Sequence, residues 1–318
     1  MDGSEVPELG YLAPVYLGLH IAGGQVGLPI IIATFLLAKN VTRHPSLINF
    51  CITWVIYSVC YCILGDVNDI NSPVCFAQSA LIHGAPTMSA VSTLVVVVEI
   101  WWTFREPTAS RGTRWPRNTR LTLGLTLPYI AFVVFTLISG VLQNQHPDLL
   151  ITNGLYCTYA GDPFRRWGVS VFCVTMLILI IIFEIAIGVR FYRLYRQIRS
   201  VFPLADRKTS PTLVIRVLIF NLYSVITLSA GILFLTDTLR AWPFMVQAAL
   251  PITATIIFGT QQDLFKAWCF CRRKPNIESN TASNESIPTF RRHDSLMLTD
   301  SSTSTPSNVI LMTPRDMV

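Results

Sequence analysis

The chain has 318 residues, of which 52% are hydrophobic and 13% charged, and its formal net charge at pH 7 is +6. Soluble domains carry about 25% charged residues, so this composition excludes an ordinary soluble protein and indicates an integral membrane protein. Helices and closed barrels satisfy their backbone groups in lipid, and the apolar runs here lack the alternation of barrel strands. We therefore interpret the runs as helices.

Seven apolar runs, each of about 20 residues or more, are long enough to cross a bilayer as helices. In chain order they are Leu12–Ala38, Ser46–Gly65, Val74–Phe104, Thr119–Leu142, Trp167–Tyr192, Thr212–Thr236 and Trp242–Thr260. The predicted fold class is an all-α membrane protein, a seven-transmembrane helix bundle over residues 12–260 with a short amphipathic helix over residues 261–274. An odd number of spans places the two termini on opposite sides.

The basic residues are distributed unequally between the two sides of the membrane. Of the 24 Lys and Arg, only Arg165, Arg166 and Arg240 lie on one side, and the other 21 follow odd-numbered spans. By the positive-inside rule the second side is cytoplasmic. We predict a multi-pass plasma-membrane protein with residues 1–11 outside and the C-terminus inside. The positive charge is explained by topology and lipid contact, so we expect no nucleic-acid partner.

The cysteines differ in the chemistry that their predicted depth allows. Cys75 lies at the outer entrance of span three and Cys157 in the long outer loop before span five, where a disulfide is permitted and would hold the loop over the bundle. Two free thiols, or a pairing of Cys157 with Cys62, are the alternatives. Cys269 and Cys271 follow the last span at the inner face, where they are either palmitoylation sites or plain thiols.

Few polar side chains lie within the spans, and each is a candidate site because burying it in lipid is costly. In span three, His83 shares a face with Ser79 and lies one turn from Thr87. This face is predicted to line an outward-open ligand pocket, together with Gln247 of span seven. The alternative for His83 is a packing role, and for Gln247 hydrogen bonding between helices.

The cytoplasmic segments contain two further predicted features. Arginines at steps of three after span five, Arg193, Arg196 and Arg199, predict a helix that projects into the cytosol and contacts a partner or anionic lipid. Residues 275–318 are rich in Ser and Thr and are predicted to be disordered. The candidate phosphorylation sites in this tail, unless it is low-complexity filler, are Ser295, Thr299, Ser301 and Ser302.

Several function classes lack the residues that they need. The four lysines, Lys39, Lys208, Lys266 and Lys274, all lie outside the spans, so a retinal Schiff base is excluded. No zinc-ligand spacing, nucleophile motif or phosphate-binding glycine loop is present. We therefore expect no enzyme activity, no cofactor and no metal.

Seven spans with an outer N-terminus, the Cys75 and Cys157 pair, and a helix after span seven together resemble the G-protein-coupled receptor superfamily over residues 12–275. The segments Cys75–Pro86 and Ile257–Trp268 resemble fungal, particularly basidiomycete, receptor-like proteins. The resemblance implies a sensor of an extracellular small molecule or peptide that signals to a heterotrimeric G protein through its Gα subunit. The coupling residues then lie at the inner ends of the spans: Glu99, Arg105, Arg114, Arg193, Arg196 and Arg199.

The sequence departs from the rhodopsin-like pattern at three points. Glu99-Ile100-Trp101 stands where that class has an acid, an arginine and an aromatic residue. Span six has neither Pro nor Trp, and span seven has Thr255-Ile-Ile-Phe258 where the class has Pro-x-x-Tyr. The resemblance therefore supports the topology and not the rhodopsin-like activation mechanism. A small-solute channel or facilitator and a non-signalling structural membrane protein are the alternative functions.

Overall fold

The computed structural model describes residues 9–37, 44–63, 72–103, 117–159, 164–201, 219, 222–223, 225–233, 241–260 and 264. Within these residues the chain is helical except for one short hairpin and the connecting turns. The principal helices are α1 (Gly10–Leu37), α2 (Pro45–Cys62), α3 (Pro73–Thr103), α4 (Arg117–Gln145), α5 (Ser170–Val201), α6 (225–233) and α7 (Ala241–Gly259).

Several helix starts follow from their local sequence. Pro45 opens α2, and the side chain of the preceding His44 accepts a hydrogen bond from the backbone N–H of Ser46. Pro73 opens α3, and the hydroxyl of Ser72 accepts from the backbone N–H of Cys75 at 3.2 Å. A proline at the first helical position loses no intrahelical hydrogen bond, and a polar cap satisfies an N–H that has no helical partner.

Short non-α segments interrupt or precede the long helices. The first helix begins with a 3-10 turn at Gly10–Leu12 and contains a π-helical stretch at Ile21–Gly27. A 3-10 turn at Pro147–Leu149 follows α4, and a π-helical turn at Phe164–Val169 leads into α5. Because π-helical turns change the hydrogen-bonding pattern, they free carbonyl oxygens for contacts with other helices.

The only sheet among the described residues is a two-stranded antiparallel hairpin between α4 and α5. Strand β1 (Leu150–Thr152) pairs with β2 (Cys157–Tyr159), with Thr152 opposite Cys157. The disulfide between Cys75 and Cys157 joins the hairpin to the first turn of α3. We call this end of the bundle the hairpin end, and the opposite end of α3 the Glu99 end.

The α3 helix is central among those described. It packs against α2, α4 and α5, while α1 and α7 pack against each other and against α2. Phe244 near the start of α7 lies 6.4 Å from Tyr156 of the hairpin, measured between ring centroids, and Phe258 near its end lies 5.4 Å from Phe50 of α2. The α7 helix therefore runs from the hairpin end to the Glu99 end, as α1, α3 and α5 do.

Six described helices are long and apolar enough to cross a membrane, which indicates an all-helical, multi-pass membrane protein. They coincide within a few residues with predicted spans one to five and seven. Most of predicted span six lies outside the described residues, as do the predicted amphipathic helix, apart from Leu264, and all of the tail after it. The predicted helical extension of span five is confirmed, because α5 continues to Val201.

Candidate functional site

The hairpin covers one end of the helix bundle and is itself largely buried. Residues Asn153–Tyr156 connect the two strands, and Gly154 among them has a φ of 80° that favours glycine. The Asn153 carboxamide oxygen accepts hydrogen bonds from the backbone N–H groups of Leu155 and Tyr156, each at 3.0 Å. These bonds direct the two side chains toward the helices, where Leu155 is 2% exposed and Tyr156 6% exposed.

A disulfide and several hydrogen bonds hold the hairpin on the bundle. The disulfide joins Cys157 to Cys75 of α3, so this predicted pairing is confirmed and the pairing with Cys62 is not formed. The backbone N–H of Cys157 donates to the Gln78 side-chain oxygen at 3.1 Å, also on α3. The backbone N–H of Leu9 donates to the Asn153 carbonyl at 3.2 Å, which joins the hairpin to the start of α1. The hairpin is thus fixed to helices that are distant in sequence.

Beneath the hairpin lies a cluster of five rings, which we call the aromatic box: Tyr16 and His20 of α1, Tyr57 and Tyr61 of α2, and Tyr156. The centroid distances are 4.8 Å between Tyr16 and His20 and 5.4 Å between His20 and Tyr61. They are 4.8 Å between Tyr57 and Tyr61 and 5.4 Å between Tyr61 and Tyr156. Tyr16 with His20 and Tyr61 with Tyr156 are edge-on, Tyr57 with Tyr61 is tilted, and His20 with Tyr61 is stacked. Edge-on pairs are among those that aromatic rings prefer.

The box contains polar atoms that are removed from both water and lipid. Tyr16 and His20 are 0% exposed, and neither the Tyr16 hydroxyl nor the His20 Nε2 atom has a hydrogen-bond partner among the described residues. His20 Nδ1 lies 3.4 Å from the Ser58 hydroxyl of α2. The Tyr61 hydroxyl accepts from the Gln247 side-chain amide of α7 and donates to the Ile82 carbonyl of α3 at 3.3 Å.

Glycines bring α1 close enough to α2 and α7 to build the box. A Cβ atom on Gly23 would lie 2.7 Å from the Pro251 carbonyl carbon, and one on Gly24 would overlap the Ser58 side chain. Both glycines lie in the π-helical stretch of α1, and the Gly23 carbonyl accepts a hydrogen bond from Thr255 of α7 at 2.9 Å. Small residues allow helix backbones to approach closely in a membrane.

The predicted ligand-binding residues fall into separate environments. Ser79 and His83 lie in a buried network with Ser139 and Gln143 of α4. In this network His83 Nδ1 lies 2.6 Å from the Ser79 carbonyl oxygen and 3.1 Å from the Ser139 hydroxyl, and the Gln143 amide donates to the Ser79 hydroxyl at 3.0 Å. These contacts join α3 to α4.

The other two predicted ligand residues contact different partners. The Thr87 hydroxyl is fully buried and donates to the Gly84 carbonyl of its own helix at 2.7 Å. Gln247 donates to Tyr61 and therefore belongs with the aromatic box. The described contacts bring Ser79 and His83 together, and they do not join this pair to Gln247. A ligand role for these four residues stays a prediction.

At the Glu99 end, charged and aromatic side chains join α3, α4 and α5. Glu99 forms a salt bridge with Arg120 of α4, with 3.0 Å between the carboxylate oxygen and the guanidinium nitrogen. The Glu99 side chain is 14% exposed and the Arg120 side chain 41% exposed. The Arg120 guanidinium carbon lies 5.5 Å from the Trp102 ring centroid, and that of Arg190 lies 5.9 Å from the Trp101 centroid. Arginine over an aromatic face is attracted by the ring quadrupole.

The remaining predicted coupling residues are only partly described. Arg193 and Arg196 are exposed on the last turns of α5, and Arg199 lies in the same helix, although the description does not include its side chain. Arg105 and Arg114 lie outside the described residues. The same holds for the predicted modification sites Cys269, Cys271, Ser295, Thr299, Ser301 and Ser302.

Sequence analysis missed most members of the aromatic box and the Arg120 partner of Glu99. Tyr16 and His20, and likewise Tyr57 and Tyr61, are four residues apart, so each pair lies on one face of a helix. Polar aromatic residues repeated at this spacing within a span were the available signal. Sequence alone did not reveal that the two faces meet beneath Tyr156.

No protein-family model and no curated protein matches this chain. Among the described residues there is also no group of three or more His, Cys, Asp or Glu side chains that could hold a metal ion.

Proposed function

We propose that this chain is a seven-helix receptor of the plasma membrane that binds an extracellular small molecule or peptide and signals to a heterotrimeric G protein. The observation that carries the proposal is the covered, polar hairpin end: a disulfide-linked hairpin over buried tyrosine and histidine side chains. A purely structural membrane protein does not need unpaired polar atoms in its interior, because each one destabilises the fold.

The course of the chain supports a seventh crossing. The α5 helix runs toward the Glu99 end, where Phe183 lies 5.7 Å from Trp101 between ring centroids, whereas α7 begins at the hairpin end. The segment between Val201 and Ala241 therefore has to return, and residues 225–233 within it are helical. A Cβ atom on Gly231 would lie 3.3 Å from Val174 of α5.

The opposite end of the bundle has the charge that a cytoplasmic partner requires. Arg193 and Arg196 are exposed beyond the apolar part of α5, and Glu99 and Arg120 form a partly exposed ion pair nearby on α3 and α4. Receptor action then follows from a population shift, in which a ligand at the hairpin end favours the arrangement of the Glu99 end that admits the partner.

The orientation behind this proposal is tested by epitope tags. The unequal distribution of basic residues predicts that a tag after Met1 is labelled on intact cells and that a tag after Val318 is labelled only after permeabilisation. The reverse result would place the aromatic box on the cytoplasmic side and contradict the receptor proposal.

Coupling is tested by nucleotide exchange on a panel of Gα subunits co-expressed with the chain. We expect one class of subunit to exchange faster with the wild-type chain than with the triple variant Arg193→Gln, Arg196→Gln, Arg199→Gln at matched surface level. The control is the pair Arg165→Gln, Arg166→Gln, which lies on the other predicted side and should leave exchange unchanged. Equal exchange in wild type and triple variant for every subunit would contradict a coupling role for these arginines.

A further inference from the structure

Two neighbouring polar atoms on α1 have no hydrogen-bond partner among the described residues, although their side chains are completely buried. They are the Tyr16 hydroxyl oxygen and His20 Nε2. Buried polar groups in native structures almost always have a partner, and the exceptions mark bound water, an ion or a ligand. The two residues are one helical turn apart, and their ring centroids are 4.8 Å apart, so both atoms belong to one place in the bundle.

The composition of the aromatic box indicates which kind of ligand it could bind. Its members provide aromatic faces, hydroxyl groups and one imidazole, and none of them is a carboxylate or a permanent cation. A charged ligand would be removed from water without a counter-ion in the box, which is costly, and for a cation the attraction to the ring faces offsets only part of that cost. A neutral ligand with a ring and a hydroxyl group would stack on the rings and satisfy an unpaired polar atom.

The side chain of Tyr156, which ends in a phenol group, enters the box from the hairpin. Tyr156 reaches the box from the hairpin and not from a helix, and its ring centroid lies 6.1 Å from that of Tyr16 and 5.4 Å from that of Tyr61. The hairpin is held by the disulfide at the next residue, Cys157. Its two strands have three residues each, so moving the Tyr156 side chain disturbs less structure than moving a ring on a long helix.

We propose that the aromatic box is the binding site for a small neutral phenol or aromatic alcohol, which displaces the Tyr156 side chain and hydrogen-bonds to Tyr16 or His20. In the framework of the proposed receptor function, this names the chemical class of the extracellular ligand and assigns its site to α1, α2 and the hairpin. The binding itself requires no G protein, so it is measured separately from coupling.

The first experiment compares two probes that differ by one hydroxyl group. The full chain is reconstituted in lipid nanodiscs, and binding of 4-ethylphenol and ethylbenzene is measured by ligand-observed NMR against empty nanodiscs. Pairing a buried polar atom is expected to make 4-ethylphenol bind roughly tenfold more tightly than ethylbenzene. Equal affinities would mean that the box does not recognise the hydroxyl group, and absence of saturable binding would mean that water alone serves the polar atoms. Either result overturns the proposal.

The second experiment tests which residues cause the preference for 4-ethylphenol over ethylbenzene. The double variant Tyr16→Phe, His20→Phe keeps the rings and removes the two unpaired polar atoms of α1, so the preference for 4-ethylphenol should fall. The Tyr57 hydroxyl of α2, which also has no hydrogen-bond partner among the described residues, stays in place. The matched control is Tyr129→Phe, because the Tyr129 hydroxyl is also bound within the bundle, to Asn49 at 2.8 Å, but lies outside the box. The control should keep the preference for 4-ethylphenol. A preference that does not fall in the double variant would overturn the assignment to Tyr16 and His20.

The third experiment tests displacement of Tyr156. Tyr156→Leu shortens the side chain that occupies the box and should increase the affinity for both probes, whereas Tyr156→Phe should leave both affinities close to wild type. Unchanged affinities in Tyr156→Leu would mean that the probes bind elsewhere. If 4-ethylphenol binds as expected and yet no Gα subunit responds, the ligand site stands and the proposed coupling fails.

Discussion

Of two pairs of helices in this bundle, the more apolar pair, α4 and α5, is less buried than the more polar pair, α2 and α3. The most apolar stretches of α2 and α3 have mean hydropathies of 1.4 and 1.7, and 50% and 56% of these stretches are buried. The hydropathies of α4 and α5 are higher, at 2.2 and 2.8, yet only 11% of each stretch is buried. In a soluble protein the more apolar helices would be expected at the centre.

The reversal follows from the solvent. Lipid chains accommodate apolar side chains as well as a protein interior does, so hydrophobicity gives no helix a preference for the centre. Polar side chains are costly in lipid and collect where other polar groups can pair with them. The buried hydroxyl, amide and imidazole groups of α2 and α3 therefore make these helices central, and four predictions test this difference from the largest expected effect to the smallest.

The largest effect is expected where α3 is joined to the hairpin. Removing the disulfide through Cys75→Ala should lower thermal stability and surface level as much as Cys157→Ala does, since either change opens a loop with a sequence separation of 82. In the chain-entropy model such a loop contributes about 4 kcal/mol. The control is Cys173→Ala in the peripheral α5, a free cysteine that should have a smaller effect. If the losses in the double variant were additive, the two cysteines would not act as a pair.

The second prediction compares glycines of the two kinds of helix. A Cβ atom at Gly84 of α3 would lie 2.6 Å from the Phe132 carbonyl oxygen of α4, so Gly84→Ala should force the helices apart and cost about 1–3 kcal/mol. Gly188 of α5 has nothing within 4 Å of its Cβ position, so Gly188→Ala should be neutral or stabilising by up to about 1 kcal/mol. Thermal unfolding in detergent measures both variants. Equal losses would contradict the close contact of α3 with α4.

The third prediction concerns the ion pair at the Glu99 end. Because Glu99 is 14% and Arg120 41% exposed, solvent screens the pair, and its coupling energy in a double-mutant cycle should be about 1 kcal/mol or less. Arg120→Gln should destabilise more than Glu99→Gln, since Arg120 also lies over Trp102. The cycle uses both single variants and the double variant in low and high salt. A coupling energy that does not fall with salt would mean that the pair is more deeply buried than its exposure indicates.

The smallest effect is expected for single hydroxyl groups. The Thr53 hydroxyl of α2 lies 2.8 Å from that of Ser92 on α3, so Thr53→Val should cost about 0.6 kcal/mol, a typical value for hydrogen bonds between membrane helices. The exposed Thr175 of α5 donates to the Val171 carbonyl of its own helix and, among the described residues, joins no second helix, so Thr175→Val should change the unfolding temperature less. A larger loss for Thr175→Val would contradict the assignment of α5 to the periphery.

Hydropathy alone predicted the described spans closely because it is a local property of the sequence. The run Ser46–Gly65 became α2 at Pro45–Cys62, and Trp242–Thr260 became α7 at Ala241–Gly259. The predicted positions of the cysteines relative to the membrane limited the possible disulfide partners of Cys157 to Cys75 and Cys62. The sequence did not exclude Cys62. The hairpin at Leu150–Tyr159 was treated only as a loop, although an Asn-Gly pair such as Asn153-Gly154 marks a turn.

The candidate site was predicted less well than the spans. The periodicity of α3 placed Ser79 and His83 on one face, but it could not specify whether this face meets a pocket or another helix. In the structure the face meets Ser139 and Gln143 of α4. Tyr16 and Tyr61 were passed over because a tyrosine in a span is unremarkable until its neighbours are known.

The sequence by itself determined which segments are apolar enough to enter a membrane and where the basic residues accumulate between them. Both are sums over neighbouring residues, and the bilayer acts on each segment separately. Only the tertiary structure decided which polar side chains find partners, because pairing depends on contacts between helices far apart in the chain. Gly23 against Pro251, Tyr61 against Gln247 and Glu99 against Arg120 are such contacts, and among the described residues they leave the Tyr16 hydroxyl and His20 Nε2 without a hydrogen-bond partner.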